Sequence, residues 1–234
     1  MSDPTPEDIQ RLSDEMEELR LAVSDVTMAW AGVENSLSML LSKLLLMDGN
    51  HDLGFAIYFA PSSADLRAKI VSTAFEYAQL AASLDETKLR ACFDKAMEKF
   101  HIVKKKRNDI THGCIATLET PIKGGTKTGI RLIGPFFHPK TRDSLHSAWG
   151  SLAGLTGKQV REAAEAMKEA RKPFDEIANL IEEGRDLRAA KGEAQTHEAR
   201  QEWSQSLSAL TERLSRLAES LKIEGPQPSG QIPP

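Results

Sequence analysis

The chain has 234 residues, of which 40% are hydrophobic and 27% are charged, and its formal net charge is −4. These values are typical of an ordinary folded globular protein. They also exclude a globally basic nucleic-acid-binding protein, so any phosphate-binding surface has to be a local patch.

Three features predict a cytoplasmic protein. The two cysteines, Cys92 and Cys114, lie in unrelated sequence contexts, which suits a reducing compartment without disulfides. The first ten residues are acidic and polar, unlike a secretory signal peptide. The longest apolar run, Leu44 to Met47, is too short to span a bilayer, so we expect no membrane partner.

The first segment carries an unbroken heptad pattern of apolar residues. Steps of three and four alternate from Ile9 to Met47, which predicts one helix of about 40 residues or two collinear ones. Pro6 suits its start and Asp48 to Asn50 suit its end. Because such a helix is longer than a small globule needs, we expect residues 1–25 to project and pair with another segment.

Two further helices are predicted before residue 115. One begins after an N-cap at Ser62 or Ser63, has Asp65 in its first turn and ends near Ser83. The other begins near Asp85 and ends at Gly113, which fits the C′ position and places His112 in the last turn. The predicted inner face of the earlier helix consists of Leu66, Ile70, Ala74, Tyr77 and either Leu80 or Ala81.

The pattern then changes to strand and back to helix. Residues 115–137 alternate around a glycine-rich turn at Lys123 to Thr126, which predicts a β-hairpin. Residues 141–157 are ambiguous between a short strand and a loop. Helix is expected again from about 156 to 190, with a kink at Pro173.

The chain closes with a second heptad helix at 193–223 and a tail at 224–234, whose Pro/Gly/Ser/Gln-rich composition predicts disorder. The two terminal heptad segments, 9–26 and 203–221, are of similar length. They can pair with each other, mediate dimerisation, or only cover the core. The expected architecture is mainly α, with a helical domain at 26–190 that carries the hairpin.

The stretch Arg107-Asn108-Asp109-Ile110-Thr111-His112-Gly113 is the most informative part of the sequence. Arg107 falls on the apolar stripe of its helix, where an arginine needs a partner such as Glu34 or a bound phosphate. Five residues of helix turn through about 140°, so Arg107 and His112 point apart, whereas Asn108 and His112 share a face.

These residue types can support metal-free cleavage of RNA. His112 would act as general base or acid toward the ribose 2′-OH and the leaving oxygen. Arg107 would stabilise charge on the phosphate, and Asn108 would orient groups by hydrogen bonds. The lysines that precede the motif would attract the RNA backbone; they are Lys104, Lys105 and Lys106.

A structural role for the same residues produces the same pattern. An inward-facing Arg107 tied to a glutamate, with His112 at the helix end, would look identical in sequence. The other histidines are scattered without zinc-ligand spacing, and Gly124 to Gly129 lacks the order of a phosphate-binding loop. We therefore expect no metal and no cofactor.

At Arg107, Asn108 and His112, followed by Gly113, the chain resembles the HEPN superfamily, whose motif is Arg, a polar residue, three variable residues and His. The resemblance covers residues 26–185 by helix order and implies an antiparallel helical bundle. It also implies a homodimer whose two motifs face each other. The hairpin would be an elaboration of that bundle, and the terminal heptad helices lie outside the match.

Many HEPN members resemble metal-independent endoribonucleases of toxin–antitoxin, phage-defence and CRISPR systems. The resemblance therefore implies RNA as a ligand and an antitoxin or a nucleotidyltransferase as a partner. Other members are catalytically inert. A non-catalytic helical module that binds RNA, nucleotide or protein is the alternative interpretation.

Overall fold

The computed structural model describes residues 5–45, 51–78, 84–122, 125–133, 154–193 and 196–223. Within these ranges the protein is mainly α-helical with one antiparallel β-hairpin, as the sequence predicts. The helices are α1 (Pro6–Leu44), α2 (His51–Phe59), α3 (Ala64–Tyr77), α4 (Glu86–Thr111), α5 (Gly157–Glu193) and α6 (His197–Ser220). The strands are β1 (Cys114–Ile122) and β2 (Gly125–Ile133). No helix in the described ranges is long and apolar enough to cross a membrane.

The long first helix is confirmed as a single helix of 39 residues, and α5 continues through Pro173. The sequence pattern does not indicate α2. This nine-residue segment is almost entirely apolar, with Asp52 as its one acidic residue, so apolar and polar residues do not alternate at helical spacing. Several predicted features lie outside the described residues: Met47, the tip of the hairpin, most of 141–157 and the tail at 224–234.

Two compact units share the chain. One consists of residues 1–33 and 100–169, and the other of residues 34–99 and 170–234. Helices α1, α4 and α5 run through these boundaries, so each of them contributes one part to each unit. These boundaries differ from the predicted domain boundaries at residues 25 and 190, which stay predictions.

The first unit is built around the contact of α1 with the C-terminal part of α4. Trp30 is 5% exposed and packs on Phe100, with 5.4 Å between the ring centroids. Apolar side chains from the hairpin and from the start of α5 complete the core. Its buried members include Leu19, Val26, Val33, Val103, Ile110, Ile130, Leu132, Val160 and Met167.

The N-terminal half of α1 lies against the hairpin, which corrects the expectation that it projects. The Arg11 guanidinium donates to the Thr128 carbonyl at 3.0 Å, and the Glu15 carboxylate accepts from the Ile130 N–H at 2.9 Å. Burial raises the pKa of Glu15, but the Ile130 and Arg11 donors outweigh it and the net pKa is lowered. The polar residues of α1 thus find partners on β2.

In the second unit, α3 begins as predicted and packs on a different side. The Ser63 hydroxyl accepts from the Leu66 N–H at 3.2 Å, which confirms the N-cap. The predicted inner face is wrong, because Tyr77 is 79% exposed and Leu66 is also exposed. Phe75 is buried instead and stacks on Phe93 with 4.0 Å between centroids. The other buried residues of α3 are Ala68 and Val71.

The C-terminal heptad helix α6 packs on α5 within the second unit. The Trp203 indole donates to the Leu187 carbonyl at 2.8 Å. Arg213 binds the carboxylates of Glu176 and Glu183 at 2.9 and 2.6 Å. The leucines of the heptad stripe, Leu210, Leu214 and Leu217, are buried. Each terminal heptad segment therefore has packing partners inside its own unit.

Candidate functional site

The predicted site lies at the C-terminal end of α4. The helix ends at Thr111, whose hydroxyl donates to the Arg107 carbonyl at 2.9 Å. The His112 N–H donates to the Asn108 carbonyl at 3.1 Å, and the Gly113 N–H donates to the Ile110 carbonyl at 3.2 Å. Helical hydrogen bonding therefore continues to His112 and tightens by one residue at Gly113.

Gly113 is needed for space. Its φ lies outside the left-handed region, contrary to a C′ glycine in the left-handed conformation. A Cβ at this position would lie 2.7 Å from the Ile133 carbonyl oxygen and 3.1 Å from the Leu132 side chain. The glycine of the motif therefore lets the chain pass from α4 directly into the hairpin.

Arg107 is half-buried and rests on an aromatic ring. Its Cζ lies 5.7 Å from the centroid of the Trp30 ring, and its Nη1 donates to the Asn108 side-chain oxygen at 3.1 Å. Stacking of a guanidinium on tryptophan contributes about 0.5–2 kcal/mol. In the part of the chain that the structure describes, no carboxylate binds this guanidinium.

Glu34, the predicted partner of Arg107, pairs with Arg67 instead. Its carboxylate accepts from the Arg67 guanidinium, and both side chains are largely buried. Arg67 also donates to the Pro61 carbonyl at 3.0 Å and to the Ser62 carbonyl at 3.4 Å. The negative charge of Glu34 is therefore matched inside the second unit.

An exposed stripe of α4 carries the remaining motif side chains. Lys105, Asn108 and His112 are all exposed and recur at steps of three and four, so they share one side of the helix. Lys106 is exposed on another side, and Lys104 is half-buried. The structure thus brings Asn108 together with both Arg107, by a hydrogen bond, and His112, by a shared face.

A second histidine belongs to the same stripe. His101 is exposed and lies eleven residues before His112, three turns of helix earlier. At a rise of 1.5 Å per residue, the two positions are about 16 Å apart along the axis. One subunit therefore cannot bring both imidazoles to one phosphate, and His101 serves as a control position.

The sequence analysis missed Trp30 as part of the site. Both Trp30 and Arg107 occupy apolar stripes, on α1 and α4, and this shared pattern was the available signal. A stripe indicates that a residue faces inward but does not identify the opposing side chain. Among the described residues, no cluster of three or more His, Cys, Asp or Glu side chains could hold a metal ion.

Comparison with known proteins adds no relative. No protein-family model matches the chain, and neither a curated protein nor a solved structure matches it. A functional assignment has to be argued from the side chains at the end of α4.

Proposed function

We propose that this protein is a HEPN-like endoribonuclease that cleaves RNA without a divalent metal. Its site would consist of Arg107, Asn108 and His112, completed by the same residues of a second copy. The observation that carries the proposal is the environment of Arg107. Its guanidinium is fixed between the Trp30 ring and a neutral amide, which leaves a positioned positive charge available for a phosphate.

This environment argues against a purely structural arginine. A half-buried arginine with a purely structural role commonly pairs with a carboxylate. Its hydrogen-bonding partner is instead the Asn108 side chain, which carries no charge. A guanidinium that keeps its full charge and a fixed orientation is suited to stabilise charge developing on a phosphoryl group.

The proposed reaction is attack of the ribose 2′-OH on the adjacent phosphorus. The O–P bond forms while the bond to the 5′-oxygen breaks, which leaves a 2′,3′-cyclic phosphate and a 5′-hydroxyl. One histidine accepts the proton of the 2′-OH and another donates a proton to the leaving oxygen. Because each chain supplies one His112, a homodimer with facing motifs would provide both.

The exposed Lys105 and Lys106 would add nonspecific attraction for the RNA backbone. We further propose a toxin or phage-defence role in the cytoplasm, with an antitoxin or nucleotidyltransferase as partner.

The test is cleavage of single-stranded RNA and transfer RNA in EDTA. Wild-type protein is expected to cut and to leave cyclic phosphate ends, and a 2′-O-methylated substrate is expected to stay intact. Arg107→Ala and His112→Ala should each lower the cleavage rate by about 100-fold or more. His101→Ala, on the same exposed stripe, should retain the rate.

Two results would contradict the proposal. Cleavage that persists unchanged in both motif variants would remove these residues from the site. Wild-type protein that binds RNA but cuts none of the substrates would favour the non-catalytic alternative. In that case binding should weaken with salt and with neutralisation of Lys105 and Lys106.

A further inference from the structure

One edge of the hairpin is closed by side chains of the same chain. The β2 backbone directs the Thr128 carbonyl and the Ile130 N–H away from β1. Arg11 donates to that carbonyl at 3.0 Å, and the Glu15 carboxylate accepts from that N–H at 2.9 Å. Helix α1 therefore takes the place of a neighbouring strand along this part of β2.

The same edge is also closed farther along β2, toward its C-terminal end. Arg131 donates to the Ile130 carbonyl at 2.7 Å. Leu132 and Leu155 form an isolated antiparallel bridge, in which each N–H donates to the other's carbonyl at 2.9 Å. The outward backbone groups of β2 are thus occupied from the Thr128 carbonyl to Leu132.

The register of the hairpin locates the outward groups of β1. In an antiparallel pair, residues opposite each other either both bond across the pair or both point away from it. The outward residues of β2 therefore identify outward residues on β1. The opposed pairs are Ile115↔Leu132, Thr117↔Ile130 and Glu119↔Thr128.

The outer edge of β1 carries backbone groups without the covering that β2 has. No hydrogen bond from a described residue reaches the outward N–H or C=O groups of Ile115, Thr117 or Glu119. Their side chains are also exposed. The next outward position is Pro121, which has no N–H and therefore ends the row of outward donors. Because an outward N–H does not bond to β2, the proline costs no hydrogen bond within the hairpin.

We propose that this edge is an interface between two copies of the chain. The β1 strands pair antiparallel about a twofold axis at Thr117 and form one four-stranded sheet in the order β2-β1-β1-β2. Thr117 then lies opposite Thr117 of the second copy, and Ile115 lies opposite Glu119. This register pairs each of the three outward N–H groups with an outward carbonyl and stops before Pro121.

The side chains of β1 favour a second copy as the occupant. Threonine pairs and β-branched residues are favourable across antiparallel strands. The twofold at Thr117 separates the two Glu119 carboxylates, whereas a twofold at Glu119 would place them directly opposite. On the other face of the sheet, Ala116 lies opposite Leu118, which makes an apolar pair.

This interface is distinct from the proposed catalytic one. Gly113 lies four residues from the axis at Thr117, about 13 Å at 3.3 Å per residue. The two motifs therefore lie at opposite ends of the paired strands, on the order of 25 Å apart. Loss of the strand interface should not remove the His112-dependent cleavage, so the two proposals can fail separately.

The direct test is self-association measured by sedimentation velocity over a range of protein concentrations. Thr117→Pro removes the central outward N–H and leaves the ladder with β2 intact. It should weaken dimerisation by about tenfold or more, while circular dichroism stays unchanged. Thr117→Val keeps the N–H and the β-branched shape, so its dimerisation should match that of the wild-type protein.

A crosslinking test does not depend on the proline variant folding. In a Cys114→Ser background, Thr117→Cys places two thiols beside the twofold axis, within the Cα separation that a disulfide bridges. Oxidation should produce a covalent dimer. Thr128→Cys in the same background lies on the closed edge and should form no covalent dimer.

Amide hydrogen exchange identifies the occupant. The N–H groups of Ile115, Thr117 and Glu119 should be unprotected in dilute protein and become protected as the concentration rises. Protection in the monomer would mean that the chain covers its own edge and would overturn the proposal. A monomer at all concentrations, or a dimer insensitive to Thr117→Pro, would also overturn it.

Discussion

Arg67 and Arg107 both lie over aromatic rings, and they differ in the acceptors that their hydrogen bonds reach. Arg67 lies 5.1 Å from the Phe59 ring centroid and binds the Glu34 carboxylate and two backbone carbonyls. Arg107 lies 5.7 Å from the Trp30 ring centroid and binds the neutral Asn108 side chain. The ring contact is common to both and therefore does not distinguish a structural arginine from a functional one.

The hydrogen-bond acceptors distinguish the two arginines. The side chains of Arg67 and Glu34 are 16% and 14% exposed, so each neutralises a charge that would otherwise be buried alone. Arg107 sits in a comparable ring contact with no such neutralisation among the described residues. The charge of Arg67 is neutralised by Glu34, whereas no carboxylate among the described residues neutralises the charge of Arg107.

The largest effect is expected on stability from Arg67→Met. Removal of this guanidinium leaves Glu34 buried and unpaired, which should lower the free energy of unfolding by about 3–5 kcal/mol. The matched variant Arg107→Met loses a ring contact and an exposed hydrogen bond and should cost about 1 kcal/mol. Urea denaturation at neutral pH measures both.

A double variant separates the buried charge from the packing. Glu34→Leu combined with Arg67→Met removes both charges and should recover most of the loss, since the penalty comes from the unpaired carboxylate. Equal losses in Arg67→Met and Arg107→Met would show that the two arginines are alike, and the comparison would fail.

The next largest effect is expected on RNA binding and cleavage, from the substitution Asn108→Asp. This change keeps the size of the side chain and places a carboxylate where Arg107 now meets a neutral amide, so the motif would acquire the pairing of Arg67. RNA affinity and cleavage should fall by about 10- to 100-fold, because the new charge repels phosphate and neutralises Arg107. Stability should rise by no more than about 1 kcal/mol.

Asn108→Ser is the control for this change. It removes the amide without adding a charge, so it should cost less activity than the aspartate. RNA binding by filter retention and the cleavage assay in EDTA report the two quantities. If the serine and aspartate variants behave alike, the neutral partner of Arg107 is not what matters.

The sequence was sufficient to predict those elements whose apolar residues follow one clear helical spacing. The stripe of α1 predicted one helix of about 40 residues or two collinear ones, because its three-four steps continue without a break, and the structure has a single helix that ends at Leu44. The inner face of α3 was mispredicted because Leu66 and Tyr77 on one side are as apolar as Val71 and Phe75 on the other. Periodicity cannot choose between two apolar sides of one helix.

The sequence predicted the positions of the site residues within their helix but not their contacts with other helices. The position of Arg107 on an inward stripe and the shared face of Asn108 and His112 follow from helical geometry. The identity of its ring, Trp30, and the pairing of Glu34 with Arg67 do not, because each joins positions far apart in sequence. Helical spacing constrains neighbours within a helix and leaves contacts between helices open.

The smallest effect is expected from the tyrosine beside Arg67. Tyr58 is fully buried, and its hydroxyl has no hydrogen-bond partner in the described part of the chain. Burial raises its pKa, and the negative charge of Glu34 raises it further, so the hydroxyl stays neutral at physiological pH.

Tyr58→Phe should therefore change the free energy of unfolding by no more than about 1 kcal/mol, with stabilisation as the expected sign, because an unpaired buried hydroxyl is removed. Tyr58→Leu, which also removes the ring beside Arg67, should cost more. Urea denaturation of both variants provides the check. A loss above about 2 kcal/mol in Tyr58→Phe would mean that the hydroxyl has a bound partner. The site formed by Tyr58 and Arg67 would then bind a ligand. Arg67 could no longer serve as the purely structural arginine in the comparison with Arg107.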